Sequence, residues 1–193
     1  MTNIRYLVSE FARAARLTLL LISMPGLCPW AVRGADADAV SNLSPLEFKA
    51  AFLSKVLAYV KWPADTLPKD NRPIVVGLFG YDSFDGLIQK ILAGQTINDR
   101  EVVVEVLTDT GRIGACQVLY VADDKLAEWL KLKPTGAGRG VLTVGADSTG
   151  QFLKRGGVFN LLVDERKLEI SRSNAEKAGL TINSKLLRIA KVN

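Results

Sequence analysis

The chain has 193 residues, 48% of them apolar and 23% charged, with a formal net charge of +5. That is enough for one domain with an ordinary core plus a short extra segment, and it excludes disordered and fibrous classes. It has no histidine, so the commonest general base and metal ligand is absent, and with it Ser-His-Asp, Cys-His and most zinc chemistry.

In chain order, the first feature is a leader. Arg5, Arg13 and Arg16 precede the apolar run 17–24, which Pro25 and Gly26 break. A basic start, a short apolar centre and small residues beyond it form the secretory pattern. The strict apolar run is too short to span a bilayer, which needs roughly 20 residues. Ala35 and Ala37 are the small residues a signal peptidase reads, so residues 1–37 are expected to be a cleaved signal, with Ala39 as an alternative end. An uncleaved amphipathic anchor or a buried helix is the competing reading. Bulky Leu27 beside Cys28 is a poor lipidation context, so Cys28 is expected to leave with the signal and Cys116 to remain as the lone thiol. Residues 1–37 hold four basic and two acidic groups, leaving +3 for residues 38–193. Basic residues there are not interleaved with aromatics, so no nucleic-acid partner is expected.

Residues 38–193 read as one domain. Ser44-Pro-Leu-Glu47 has the form of a capping box with Pro at the first helical position. Phe48, Phe52, Val56, Tyr59 and Val60 continue at helical spacing, with Lys49 and Lys55 off the stripe and Trp62-Pro63 ending the helix. Residues 73–79 read as a buried strand. Asp82 or Ser83 is expected to cap a helix carrying Phe84, Leu87, Ile88, Ile91 and Leu92, stopped by Gly94. Residues 101–107 form the next strand, whose apolar centre suits a sheet covered on both faces.

Residues 116–121 give a third strand, and Asp123 and Asp124 open a helix with Leu126, Trp129 and Leu130 inward. After a Gly-rich loop at 134–140 comes a strand at 141–144. Residues 158–163 and 167–170 flank Asp164-Glu-Arg166 as a hairpin. Ser173 begins a short helix that Gly179 ends, and Asn183 or Ser184 caps a last apolar segment. Alternating strands and helices followed by a hairpin predict a single three-layer, Rossmann-like α/β domain with a mixed, mainly parallel sheet.

Few motifs carry chemistry. Gly77-x-x-Gly80 lacks the G-x-G-x-x-G spacing on a turn that a dinucleotide loop requires. Gly136 to Gly140 could cradle an anion but reads first as a connector. Asp82, Asp85, Asp123 and Asp124 sit at helix starts, where the positive helix end favours them. Asn160 interrupts an apolar strand and needs a partner if buried. No catalytic residue, cofactor or metal site is expected.

Taken in order, four stretches carry a resemblance: Phe48-Lys-Ala-Ala-Phe-Leu53 with Val60-Lys-Trp-Pro63; Val76-Gly-Leu-Phe-Gly80 with Phe84; Cys116-Gln-Val-Leu-Tyr120; and Gly156-Gly-Val-Phe-Asn160 with Asn174-Ala175, Ala178-Gly-Leu180 and Ser184-Lys-Leu-Leu187. The set resembles the YfiR-like (YfiR/HmsC) family of periplasmic regulatory proteins. The resemblance implies a non-enzymatic periplasmic protein that restrains a membrane-bound diguanylate cyclase through its periplasmic sensor region, lowering cyclic di-GMP and biofilm formation. An outer-membrane lipoprotein that sequesters it is a further implied partner, and a homodimer stays open. The family often carries Cys at the position of Gly77, where it could pair with the cysteine at 116; that bond is impossible here.

Residues 167–193 carry six basic and two acidic side chains. A partner is expected to meet this part, with Leu180, Leu186 and Leu187 as apolar anchors and Lys185 and Arg188 at the rim, unless those leucines fill the core. Two other readings compete. One is a small-ligand sensor, serving another receptor or sensor kinase, that binds in the loops after Phe79, Val121 and Val144. The other is an enzyme using carboxylates or lysine.

Overall fold

The computed structural model describes residues 43–132 and 137–193. The elements are α1 (Pro45–Leu57), β1 (Val60–Lys61), β2 (Ile74–Phe79), α2 (Leu87–Leu92), β3 (Thr96–Ile97), β4 (Arg100–Leu107), β5 (Val118–Val121), α3 (Asp123–Trp129), β6 (Leu142–Gly145), α4 (Gln151–Lys154), β7 (Phe159–Leu162), β8 (Lys167–Ile170), α5 (Arg172–Lys177), β9 (Thr181–Ile182), α6 (Ser184–Leu187) and β10 (Lys191–Val192). Short 3₁₀ turns span Ala64–Thr66 and Thr110–Ala115.

The main sheet has the order β10-β8-β7-β6-β5-β2-β4-β3. The run β4-β2-β5-β6-β7 is parallel throughout, while β8 returns antiparallel to β7 and β3 antiparallel to β4. Period-two alternation divides the side chains between two clusters. Ile74, Val76, Leu78, Val118 and Tyr120 face α1, α2, α5 and α6. Phe79, Leu119 and Val121 face α3 and α4 through Trp129, Phe152 and Leu153. The protein is thus the expected three-layer α/β domain.

Local chemistry accounts for most boundaries. The capping box forms as read: Ser44 Oγ accepts from the Glu47 N–H at 3.2 Å, and Glu47 returns the bond to Ser44 N–H at 2.8 Å. The helix ends a full turn before Trp62-Pro63, however. Val60 and Lys61 leave it to pair with Ile182 and Thr181, a tertiary partner 120 residues away that helical spacing cannot reveal. Phe84 likewise lies ahead of α2, because Asp85 and Gly86 adopt positive φ and interrupt the helix.

β4 departs from its expected burial. Only Val102 and Leu107 are buried along it and Val106 is exposed, since β3 covers just its first two residues and leaves the strand near the sheet edge.

Asn160 is fully buried and finds its partners. Its Oδ1 accepts from Asp147 N–H at 2.7 Å, and its Nδ2 donates to Asp147 O at 2.8 Å and Glu169 Oε2 at 3.0 Å. Glu169 Oε1 in turn accepts from Lys191 Nζ at 2.8 Å, tying β10 to the sheet. Gly157 is required by close approach, since a Cβ there would stand 2.2 Å from the Phe152 ring.

Candidate functional site

The chain passes from β2 outward to β4, then crosses back over β2 to β5. In an open α/β sheet, ligands bind outside the carboxyl ends of the strands flanking such a reversal. A cleft of about 390 Å³ opens beside this point, over the carboxyl ends of β5, β6 and β7. Its walls are the first turns of α1 (Leu46, Lys49), the end of β5 and start of α3 (Tyr120, Asp123), the loop after β6 (Ser148), and the β7–β8 hairpin from Leu161 to Glu165. Two of the three loops expected to form a crevice, those after Val121 and Val144, therefore line it.

The cation in this cleft is Lys49. The ammonium lies 4.8 Å from the Phe84 ring centre and 5.6 Å from that of Tyr120, so two aromatic faces support its charge. Burial pulls its pKa below the usual lysine value, against the opposing pull of Asp123 and Asp82. No hydrogen bond or ion pair joins it to another described residue, which leaves a half-buried charge short of donors' partners.

Asp82 lies behind Lys49. Burial pushes its carboxyl up, but hydrogen bonds from Gln89 Nε2 (2.8 Å), Phe84 N–H (2.9 Å) and Gly86 N–H (3.0 Å), with the Lys49 charge, outweigh it and hold the pKa below the carboxylate range. Burial, then Asp123 and Tyr81, raise the Tyr120 phenol, so it keeps its proton and remains a donor.

The residues expected at a partner surface separate by depth. Leu180 and Leu186 belong to the core cluster, Leu186 with no exposed surface at all. Leu187 is half-buried, and with Leu180 and Ile182 it lines a shallow groove of about 190 Å³ between α5, β9 and α6. Lys185 and Arg188 are exposed. Lys185 and Arg188, with half-buried Leu187 beside them, are thus open to solvent, while Leu186 is part of the interior. Three other basic residues of this region are already matched: Lys167 by Glu165, Arg172 by Glu176 and Lys191 by Glu169.

Cys116 is free and buried, with Sγ 3.7 Å from Arg112 O. Burial, then the Glu105 charge, push the thiol up to about 11. Gly77 faces it: a Cβ there would lie 2.5 Å from Cys116 Sγ. Of the Gly-rich connector, Arg139 pairs with Asp65 and Gly140 N–H donates to Ala178 O, while 133–136 fall outside the described residues. So do Ala35, Ala37 and Cys28. Among the described residues, no helix is long and apolar enough to cross a membrane and no acidic or cysteine cluster could hold a metal ion.

Lys49 escaped the sequence reading because it stands one residue from the apolar stripe and looks solvated. Phe84 and Tyr120, which partly bury it, come from distant elements, and only the order of strands brings them together.

The sequence profile of one family, described as YfiR/HmsC-like, matches residues 46–191. The chain belongs to this family. The match takes in β1 through β9, nearly all of α1 and the first residue of β10, so the YfiR/HmsC-like unit and the observed α/β domain coincide. Comparison with functionally curated proteins gives no match. Among solved structures, the chain is similar to a conserved domain protein from Vibrio cholerae O1 biovar El Tor strain N16961, at 15% identity and a TM-score of 0.45 over 78% of this chain. The alignment spans 60% of that protein's length.

Proposed function

We propose that this YfiR/HmsC-like chain is a periplasmic regulator that binds the periplasmic sensor region of a membrane-bound diguanylate cyclase and holds the cyclase in check. The observation that carries the reading is the family match from 46 to 191, which covers the folded unit rather than an isolated motif. The leader over 1–37 supports export, and the exposed Lys185 and Arg188 beside half-buried Leu187 support a docking edge at the C-terminal end. Residues 38–193 then form the exported protein, with an outer-membrane lipoprotein as a candidate second partner.

The test is co-purification of the exported chain with the periplasmic segment of a membrane cyclase encoded beside it, together with cellular cyclic di-GMP after deletion of the chain. Association, and a rise in cyclic di-GMP on deletion, are expected. A chain retained in the cytosol, or a deletion that leaves cyclic di-GMP unchanged, sinks the reading. Replacing Lys185 and Arg188 with alanine is expected to weaken the complex while leaving the melting temperature unchanged.

A second reading is favoured by the cleft around Lys49. It lies where α/β sheets receive small ligands, and it holds a charge without a bonded partner. The protein then also senses a small molecule.

A further inference from the structure

We infer that the end of the protein beneath the amino termini of β6 and β7 docks on a membrane surface of anionic phospholipid. The contact needs no partner protein, so it stands apart from the cyclase and ligand-sensing readings.

The parallel sheet sorts the charges of the chain. The carboxyl ends of its parallel strands lie along one side and the amino ends along the other. Each of these five strands is followed by an aspartate: Asp82 after β2, Asp109 after β4, Asp123 after β5, Asp147 after β6 and Asp164 after β7. Cations precede or open four of them: Arg72 at β2, Arg100 at β4, Arg139 at β6, and Lys154 with Arg155 at β7. One end of the molecule is therefore weighted toward acid and the opposite end toward base.

At the basic end, the cations without partners gather under β6 and β7. The rings of Trp129 on α3 and Phe152 on α4 lie 5.3 Å apart, so Lys131 and the pair Lys154-Arg155 leave from neighbouring helix ends. Asn174 of α5 donates to Leu153 O at 2.6 Å and to Gly157 O at 2.8 Å, and Gly140 N–H donates to Ala178 O at 2.8 Å. These bonds lay α5 across the starts of both strands. Lys177 then lines a pocket of about 110 Å³ with Arg139 and Gly156, and no acidic residue lines it.

Lys131, Lys154, Arg155 and Lys177 are all exposed, and none forms an ion pair or side-chain hydrogen bond with another described residue. The nearby acids are already matched, Asp65 by Arg139 and Glu176 by Arg172. Asp70 and Asp99 stand at the far edge, beside the loops where Arg100 donates to Pro68 O and Asn98 O.

Three of the four cations are lysines. Compact hydrated charges on flexible stems suit mobile phosphates better than fixed carboxylates, which a planar guanidinium fork matches. No aromatic ring stands among them to stack on bases. The large apolar side chains exposed among the described residues, Tyr81, Val106 and Val192, lie on other parts of the chain. Attachment is therefore electrostatic and without insertion, and the same surface turns the opposite, acidic end away.

The test is sedimentation of the chain, as the cell produces it, with vesicles of phosphatidylcholine and with vesicles of equal parts phosphatidylcholine and phosphatidylglycerol. Preferential binding to the anionic vesicles is expected. That preference is expected to vanish in about 1 M salt, where the screening length falls to about 3 Å. Each cation is expected to contribute about fivefold in affinity. Lys177→Gln then weakens binding about fivefold, and Lys154→Gln combined with Arg155→Gln about twenty-fivefold, with unchanged melting temperatures. Arg155→Lys, which keeps the charge, and Lys90→Gln, on α2, are expected to bind like the parent. Equal binding to both vesicle types, or to neither, overturns the proposal. Anionic binding that ignores the glutamine substitutions at 154, 155 and 177, or that Arg155→Lys abolishes, overturns it as well. If vesicles are ignored while soluble poly-L-glutamate binds at low salt, the basic end meets an acidic protein and the membrane assignment falls.

Discussion

Gly77 and Cys116 face each other across neighbouring parts of the sheet, and the missing side chain at 77 leaves the thiol its room. A Cβ at 77 would meet Cys116 Sγ at 2.5 Å and Leu107 Cδ1 at 2.8 Å. Gly77→Ala adds that atom with nothing gained, so overpacking is expected to cost about 1–3 kcal/mol, read from denaturant midpoints. Gly77→Cys turns the same closeness into a bond. Its oxidised form is expected to be more stable than its reduced form by about 2–4 kcal/mol, since the bridge closes a loop of the unfolded chain. If oxidation leaves Gly77→Cys with two free thiols by mass spectrometry, the facing geometry is wrong.

In the parent chain, burial that raises the Cys116 pKa to about 11 leaves almost no thiolate at neutral pH. Iodoacetamide at pH 7.5 is therefore expected to label Cys116 only after denaturant unfolds the chain, and rapid labelling of the native form contradicts the burial. Family resemblance pointed to the pairing of these two positions. The steric reason Gly77 has no side chain here became visible only with the sheet assembled.

At the scale of elements, one polar network fastens the C-terminal half of the sheet. Asn160 on β7 bridges the loop after β6 and Glu169 on β8, and Glu169 holds Lys191 on β10. Asn160→Leu keeps the volume but strands the Asp147 N–H and carbonyl in a dry interior. Loss of about 2–4 kcal/mol is expected in denaturant melts; a loss below about 1 kcal/mol would mean the network is dispensable.

The same network predicts a pH dependence. The Lys191 hydrogen bond holds Glu169 below its ordinary carboxylate value against burial, and Asn160 assists. Asp147 is pushed up by burial, yet bonds from Thr149 and the Phe152 N–H outweigh that and leave it lowered too. Groups lowered in the folded state stabilise it fully above their unfolded pKa, about 4, and cease to do so as pH falls through the folded values. In Lys191→Met, Glu169 loses its largest source of lowering. Acid unfolding followed by circular dichroism is expected to begin at a higher pH than in the parent, and superimposed acid limbs refute the coupling.

The need for a partner at Asn160 was legible in the sequence, as were the Ser44 cap and the β7–β8 hairpin, because each depends on neighbouring residues or on one buried polar atom. The two-residue strands β1, β9 and β10 were not, since pairing with chain beyond their own neighbourhood defines them, and β3, paired locally with the start of β4, is too short for alternation to show.

At the scale of the whole molecule, alternation along β2 and β5 sends successive side chains into two clusters on opposite faces of one sheet. Class and layering could be read from the order of apolar runs, because each βα unit writes its own period. The cleft could be located only as far as the loops after the parallel strands; its charge arrangement required α1 to fold over Phe84 and Tyr120.

The two-sided core makes a last prediction about cooperativity. Trp62 lies in the cluster against α1, with Nε1 donating to Gln117 O at 3.2 Å, and Trp129 lies fully buried in the cluster against α3 and α4. Both clusters draw on the same strands, so neither face can lose its packing while β2 and β5 stay intact for the other. Trp62→Phe and Trp129→Phe each leave a single tryptophan reporter within the described residues, one per face. Within each variant, denaturation by urea followed by fluorescence and by far-ultraviolet circular dichroism is expected to give one midpoint, the behaviour of a single cooperative unit. A fluorescence midpoint clearly separated from that of circular dichroism in either variant would show that one face melts first, and that residues 43–193 hold two units rather than one.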